Sequence, residues 1–260
     1  NRATDLLAAR GPDGRGTHHA PGIFLGHRRL AIIDVTGGTQ PFTDSDSGAV
    51  ITYNGELYNY REIRNALDQR GRVFRTESDT EVVLQAYLEW GADALQRFNG
   101  MFAFAIYQPD RRLLFMARDR IGIKPLFYSA CGTKLHFAST CPALQAFPDV
   151  SRTLSPAAVS HYLTTIRTTL GDQTLFRDIR ALPPGTWLES GSDGIKVRRY
   201  WDFPMRTGAE HERTDGDAER ARTEELVRAA VSDRHISEVP LGGFLSGGLD
   251  SSVIAALSHA

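Results

Sequence analysis

The rhythm of apolar and polar positions changes several times along this chain. β-Branched and long apolar residues crowd 23–34, "IFLGHRRLAIID", and 49–55, "AVITYNG", predicting two strands, the second ending at an Asn-Gly turn signal. Over 60–71 the spacing turns helical, with Ile63 and Leu67 four apart and Gly71 closing the run. A stronger helix is expected over 78–91, "SDTEVVLQAYLEWG", where Ser78 caps, Glu81 completes a capping box and Gly91 ends it. Short apolar runs follow at 101–108, 111–119, 125–130 and 134–139, with turns at Pro109-Asp110 and Cys131-Gly132. Such runs predict antiparallel hairpins, not β-α-β units. Ser155 and Pro156 open a short helix over 155–163, and 181–190 with 195–203 read as a last hairpin.

There the pattern breaks. Residues 204–217 are polar and read as a linker. A helix is expected over 218–236, with Leu226, Ala230 and Val231 on one face. "VPLGGFLSGG" (239–248) then reads as an apolar strand entering a glycine turn, and "SSVIAALSHA" (251–260) as the start of a helix. Strand, Gly-rich loop and helix in that order open an α/β domain with a parallel sheet.

Composition narrows the class without naming it. The chain has 260 residues, 41% hydrophobic and 23% charged, with a net charge of −1. That is an ordinary soluble composition and gives no footing for nucleic acid or a membrane surface. No apolar run reaches the roughly 18 residues of a membrane span. Cys131 and Cys141 form no CxxC pair and read as small, half-buried residues of a reducing, cytoplasmic setting. The eight histidines make no HExxH pattern, and His18-His19, in a polar Gly-rich stretch, read as solvated.

The chemistry concentrates in two places. In "FLSGGLDSS" (244–252) a Gly-Gly turn before a helix lets backbone N–H groups converge, and the helix start favours an anion. Ser246, Ser251 and Ser252 add hydroxyls. Asp250 fits beside phosphate if Mg²⁺ bridges the two. The loop is neither a Walker A loop nor GxGxxG, and taken alone it could be a capped strand–helix turn. The second place is Arg29, Asn54-Gly55, Glu56 and Asp79. A guanidinium suits an α-carboxylate, carboxylates suit an α-ammonium, and an amide with a close-approach N–H suits an oxyanion. Taken singly, Arg29 could pair with Asp34, Asp79 could favour a helix dipole, and Asn54-Gly55 could be a plain hairpin turn.

The stretch "VPLGGFLSGGLDSS" (239–252) resembles the pyrophosphate loop of the PP-loop ATPases, and more narrowly that of glutamine-hydrolysing asparagine synthetases. "RGPDG" (10–14), "GHRRLAIID" (26–34), "QPF" (40–42), "NGELYNY" (54–60), "ESDTEV" (77–82), "NGMFAFAIYQ" (99–108) and "RDRIGIKPLFY" (118–128) resemble the glutaminase domain of the same family, in the same order. The resemblance implies an α+β fold. Residues 1–203 would be a type 2 glutaminase with the Ntn-hydrolase αββα sandwich of antiparallel sheets, and 218–260 the start of an α/β PP-loop domain. It implies an ATP-dependent amidotransferase that hydrolyses glutamine and amidates an adenylated carboxylate, of aspartate or a related acid, releasing AMP and pyrophosphate. Asn54 and Gly55 would form the oxyanion hole, and Arg29, Glu56 and Asp79 would hold glutamine. Leu245, Ser246, Gly247, Gly248, Asp250, Ser251 and Ser252 would hold ATP, with Asp250 on Mg²⁺. A homodimer is left open.

In that family the nucleophile is an N-terminal cysteine whose own α-amino group is the base, on the strand that opens the fold. It would lie about twenty residues upstream of Asn1, so a longer parent protein is expected and the chain as given is expected to be inactive. "FASTC" (137–141) departs from the family's common Phe-Ala-Ser-Glu at Thr140. A β-lactam synthetase-like enzyme and a non-catalytic glutamine-binding module are the alternatives.

Overall fold

The computed structural model describes residues 2–204 and 216–258, which fall into two compact units, 1–202 and 203–260. The first unit is built from thirteen strands. They are β1 (Gly14–Ala20), β2 (Ile23–Arg29), β3 (Phe42–Thr43), β4 (Val50–Leu57), β5 (Gly100–Gln108), β6 (Leu113–Arg118), β7 (Phe127–Cys131), β8 (Lys134–Ala138), β9 (Thr169–Leu170), β10 (Gln173–Thr174), β11 (Arg180–Ala181), β12 (Thr186–Gly191) and β13 (Gly194–Arg199). All pairings are antiparallel. They make a six-stranded sheet of order β13-β12-β6-β5-β4-β3, a five-stranded sheet of order β8-β7-β11-β10-β9, and the pair β1-β2.

Side-chain parity along β5 explains the layering. Phe102 and Phe104 point to one side, where, after the short α1 (Arg2–Asp5) near the start of the chain, α2 (Tyr60–Asp68) and α3 (Asp79–Trp90) cover the large sheet. Phe98 packs edge-on against Phe102, and Tyr87 of α3 stacks on Phe115 at 4.5 Å. Ala103 and Ala105 point the other way, into a cluster with Leu114, Met116, Leu126, Leu182 and Leu188, on which Tyr128, Leu135 and Phe137 of the second sheet pack. The outer face of that second sheet is covered by α4 (Cys141–Leu144) through Ala143 and Leu144. Helix, sheet, sheet, helix is the expected αββα sandwich.

Local expectations hold with instructive exceptions. Ser78 caps α3 by accepting the Thr80 N–H, and Gly91 ends it at φ 58°. Glu81 closes no capping box. Its carboxylate instead accepts the N–H groups of Arg75 and Thr76 and the Thr76 hydroxyl, clasping the loop before the helix. The first strand stops at Arg29 rather than running to Asp34, because Asp34 turns the chain at φ 49°. His18 and His19 lie within β1, where His19 is solvated as expected and His18 is half-buried. Thr140, where a Glu was expected, is the N-cap of α4 and accepts the Ala143 N–H.

The second unit holds α6 (Gly216–Asp233) and α7 (Leu249–Ser258), after α5 (Pro156–Thr165) in the first unit. The strand expected over 239–245 does not form: 239–246 carry no regular structure, and Leu241 and Phe244 are exposed. A parallel strand needs a neighbouring strand for its ladder, and none of the described residues of this unit supplies one. The linker expected over 204–217 lies largely outside the described residues. No helix among the described residues is long and apolar enough to cross a membrane.

Candidate active site

A cavity of about 900 Å³ opens between the layers of the first unit, and Arg29, Asn54, Gly55, Glu56 and Asp79 all line it. The residues come from the end of β2, the middle of β4 and the start of α3. Asn54 and Gly55 are not a turn. They sit inside β4 opposite Ala103 and Phe102, and β4 continues to Leu57. A Cβ on Gly55 would lie 2.5 Å from the Met101 carbonyl oxygen and 2.8 Å from the Phe102 Cα, so only glycine lets the two strands approach so closely.

Backbone parity then aims the donors. The N–H and C=O of Phe102 turn toward β6, where they bond the Asp119 carboxylate and the Asp119 N–H. Gly55 is therefore in a pair that exchanges no hydrogen bonds, and its own N–H faces away from β5. The N–H groups of Tyr53 and Leu57 face the same way. Tyr53 donates to Gln40 Oε1 at 2.7 Å, and Leu57 donates to Asp79 Oδ2 at 3.0 Å. Gly55 supplies the donor between them. Beside it, Asn54 Nδ2 is buried and bonds no protein atom. An unused buried donor costs about 1–3 kcal/mol, so this pair of N–H groups is poised for an acceptor from outside the chain.

Asp79 is 5% exposed, and burial pushes its carboxyl up to about 6. The Leu57 N–H opposes that shift without cancelling it. Glu56, also buried, lines the same cavity as Lys124, whose ammonium is pushed below its ordinary range by burial, with the Glu56 charge opposing that shift. Arg29 is fixed by the carbonyls of Ile33, Asp34 and Val35, at 3.1, 2.6 and 3.0 Å. Asp34 thus meets Arg29 through its backbone oxygen, while its carboxylate accepts the N–H groups of Gly37 and Glu77. The cavity therefore presents a guanidinium, two N–H donors and two buried carboxylates, a set matched to an amino acid with a side-chain carbonyl.

Three supporting residues carried no role in the sequence reading. Gly38 leaves space for the guanidinium, since a Cβ there would lie 2.5 Å from Arg29 Nη2. Gln40, the first residue of the quoted "QPF", ties β4 to α3 by also donating to Thr80 Oγ1 at 3.2 Å. Lys124 is carried to the cavity by a loop whose N–H groups at 123 and 124 bond Asp119, while the Arg118 guanidinium clasps the carbonyls of Gly122, Lys124 and Leu182. The cavity is also flanked by β2 and β8, each of which pairs with one strand only among the described residues.

In the second unit the chain turns at Gly247 (φ 81°) into α7. The Ser246 and Ser251 hydroxyls are 3.0 Å apart, and the Ser251 and Ser252 hydroxyls donate to the Gly248 carbonyl. Asp250 stands in the first turn, and Leu245 is exposed.

The family described as a glutamine amidotransferase domain matches residues 1–201, and the family described as asparagine synthase matches 222–260. Asparagine synthetase [glutamine-hydrolyzing] 3 of Bacillus subtilis is 39% identical over 99% of this chain and 42% of its own length. Amidase chyE of Penicillium rubens is 33% identical over 97% of the chain and 37% of its own length. The chain thus spans about two fifths of such curated relatives. A solved structure of the allosteric regulatory enzyme of purine biosynthesis aligns at a TM-score of 0.50 and 20% identity, over 90% of this chain and 49% of that one, a likeness of fold.

Proposed function

Because the chain belongs to the glutamine amidotransferase domain family over residues 1–201, we propose that its first unit binds glutamine and hydrolyses the side-chain amide. The observation that carries this reading is the unbonded Asn54 Nδ2 beside the outward N–H of Gly55. Together they would hold the oxygen that becomes negative as the amide carbon turns tetrahedral. Arg29 would pair with the α-carboxylate, and Asp79 with Glu56 would receive the α-ammonium. A cation there offsets the cost of keeping Asp79 charged in a buried place.

The nucleophile in this reading is the N-terminal cysteine that the family resemblance implies, upstream of Asn1. Its sulfur attacks the amide carbon, its own amine takes the thiol proton and returns it to the departing ammonia, and water then releases glutamate. Glutamate release, assayed on the protein extended upstream to that cysteine, tests the reading. Glutamine binding without release would leave a binding module in its place.

We further infer an asparagine synthetase-like role for the whole protein, in a cytoplasmic setting, with aspartate or a related acid as the acceptor. The donor set of the second unit fits ATP with Mg²⁺. A Cβ at Gly247 would meet nothing within 4 Å, three serine hydroxyls cluster at a helix start, and Asp250 lies in the same first turn. Ser246, Gly247, Gly248, Ser251 and Ser252 would hold the phosphates, Leu245 would lie near the nucleoside, and Asp250 would take the metal. Bound there, ATP would supply the adenylyl group that activates the acceptor carboxylate.

A further inference from the structure

Three unlike donors converge on the outward face of the second sheet. Cys131 ends β7, and His136 lies in β8 directly opposite Ser129. Phe127, Ser129 and Cys131 share one face of β7, so the thiol and the imidazole are diagonal neighbours on the same side. The chain returns after α4 to bring Asp149 over both. The thiol, an imidazole nitrogen and a carboxylate oxygen all lie within 4.8 Å of one another.

The cluster is held in place. The His136 ring stacks on Phe147 with centroids 4.2 Å apart, and its Nε2 lies 3.1 Å from the Asp149 carboxylate. Cys131 Sγ lies 3.2 Å from the Asp149 carbonyl oxygen and 3.5 Å from Ser129 Oγ. Lys134 reaches the same carboxylate at 3.4 Å, but its side chain is 68% exposed and free to swing into solvent.

We propose that Cys131, His136 and Asp149 form a zinc site with one position left for water or another ligand. Sulfur, imidazole and carboxylate are the donors zinc takes, and three protein ligands leave a tetrahedral ion one open position. Zinc bonds of about 2.0–2.3 Å require donors about 3.4–3.8 Å apart. The imidazole nitrogen and the carboxylate, now 3.1 Å apart, need only open by a few tenths of an ångström. The sulfur closes the remainder by adjusting a hairpin tip whose next residue is Gly132, at φ 60°. Binding releases the Cys131 thiol proton to solvent, moves the imidazole proton from Nε2 to Nδ1 by exchange with water, and replaces the His136–Asp149 hydrogen bond with two metal bonds. The ion then fastens the β7–β8 turn to the loop around Asp149.

Cobalt(II) titration of the tag-free 260-residue chain tests this. A thiolate-to-cobalt charge-transfer band is expected in the wild type and in Cys141→Ser, and none in Cys131→Ser. Zinc should raise the melting temperature of the wild type. The Asp149→Asn variant, altered at an exposed position, should lose at least the roughly 10–100-fold in zinc affinity that losing an outer-shell partner costs. A wild type without the band, a band that survives Cys131→Ser, or zinc affinity unchanged in Asp149→Asn would each overturn the site.

Discussion

Asp79 Oδ2 accepts the N–H of Leu57, and that bond fastens the first turn of α3 to the outer edge of β4. The same carboxyl is held near a pKa of about 6 by burial, against about 3.9 for an unfolded aspartate. Between those values the folded chain keeps a proton that the unfolded chain has lost, so this group lowers stability as pH rises through the window. Asp79→Asn retains an acceptor for Leu57. It is expected to be more stable than wild type at about pH 8, by up to about 3 kcal/mol, with little difference near pH 4. Urea unfolding at the two pH values measures this. Glutamine affinity should fall at least tenfold, to be read by calorimetry on the upstream-extended protein.

His27 carries the opposite slope. Burial first, then the Arg29 charge, lowers it from 6.5 to about 4, and it bonds Thr52 Oγ1 at 3.0 Å. Its contribution is complete above about pH 6.5 and is lost as pH falls toward 4, because the unfolded chain binds the proton first. Over about pH 4–6 the two groups offset each other. Wild-type stability should therefore be nearly flat there, rising on acidification in His27→Gln and falling in Asp79→Asn. Parallel profiles in all three proteins would contradict the assignment.

Gly55→Ala places a methyl group against the backbone of β5. Overpacking of this kind costs about 1–3 kcal/mol, visible as a lower urea midpoint. Glutaminase activity should be lost with it, since the displaced strand carries the Gly55 N–H and Asn54 together.

Asn54 and Arg29 should separate in kinetics. Asn54→Ala removes a donor that serves the developing oxyanion, so kcat should fall about 10²–10³-fold with KM nearly unchanged. Arg29→Lys loses the planar fork, and KM for glutamine should rise at least tenfold with a smaller effect on kcat.

For the second unit, Asp250→Ala in the whole protein should abolish ATP–pyrophosphate exchange and leave glutamate release intact. Loss of both activities would make Asp250 a structural residue.

The sequence carried the helices, the hairpins and the five cavity residues, because Ser78, Gly91, paired apolar runs and ordered motifs are local signals. What it could not carry depended on distant partners. The Asn54-Gly55 pair looks like a turn until the close crossing of Met101 and Phe102 shows why a glycine stands mid-strand. Glu81 fits a capping box by spacing alone, yet the loop at Arg75 and Thr76 competes for its carboxylate and wins. β1 went unread because it pairs along one side only and carries Gly14, Gly16 and two histidines. Gly38 has no local signature at all. Its reason is the Arg29 guanidinium nine residues away.

The alternation of large and small residues along β5 has a practical corollary. Phe102 and Phe104 anchor the helix-covered core, whereas Ala103 and Ala105, with Tyr107 packed beside them, belong to the core between the sheets and also border the cavity. One strand thus serves the helix-covered core with one parity and both the inter-sheet core and the cavity wall with the other. Directed evolution toward a bulkier or smaller amide donor can begin with a library at 103 and 105, which leaves Phe102 and Phe104 untouched, while each variant carries its own cost to the core between the sheets.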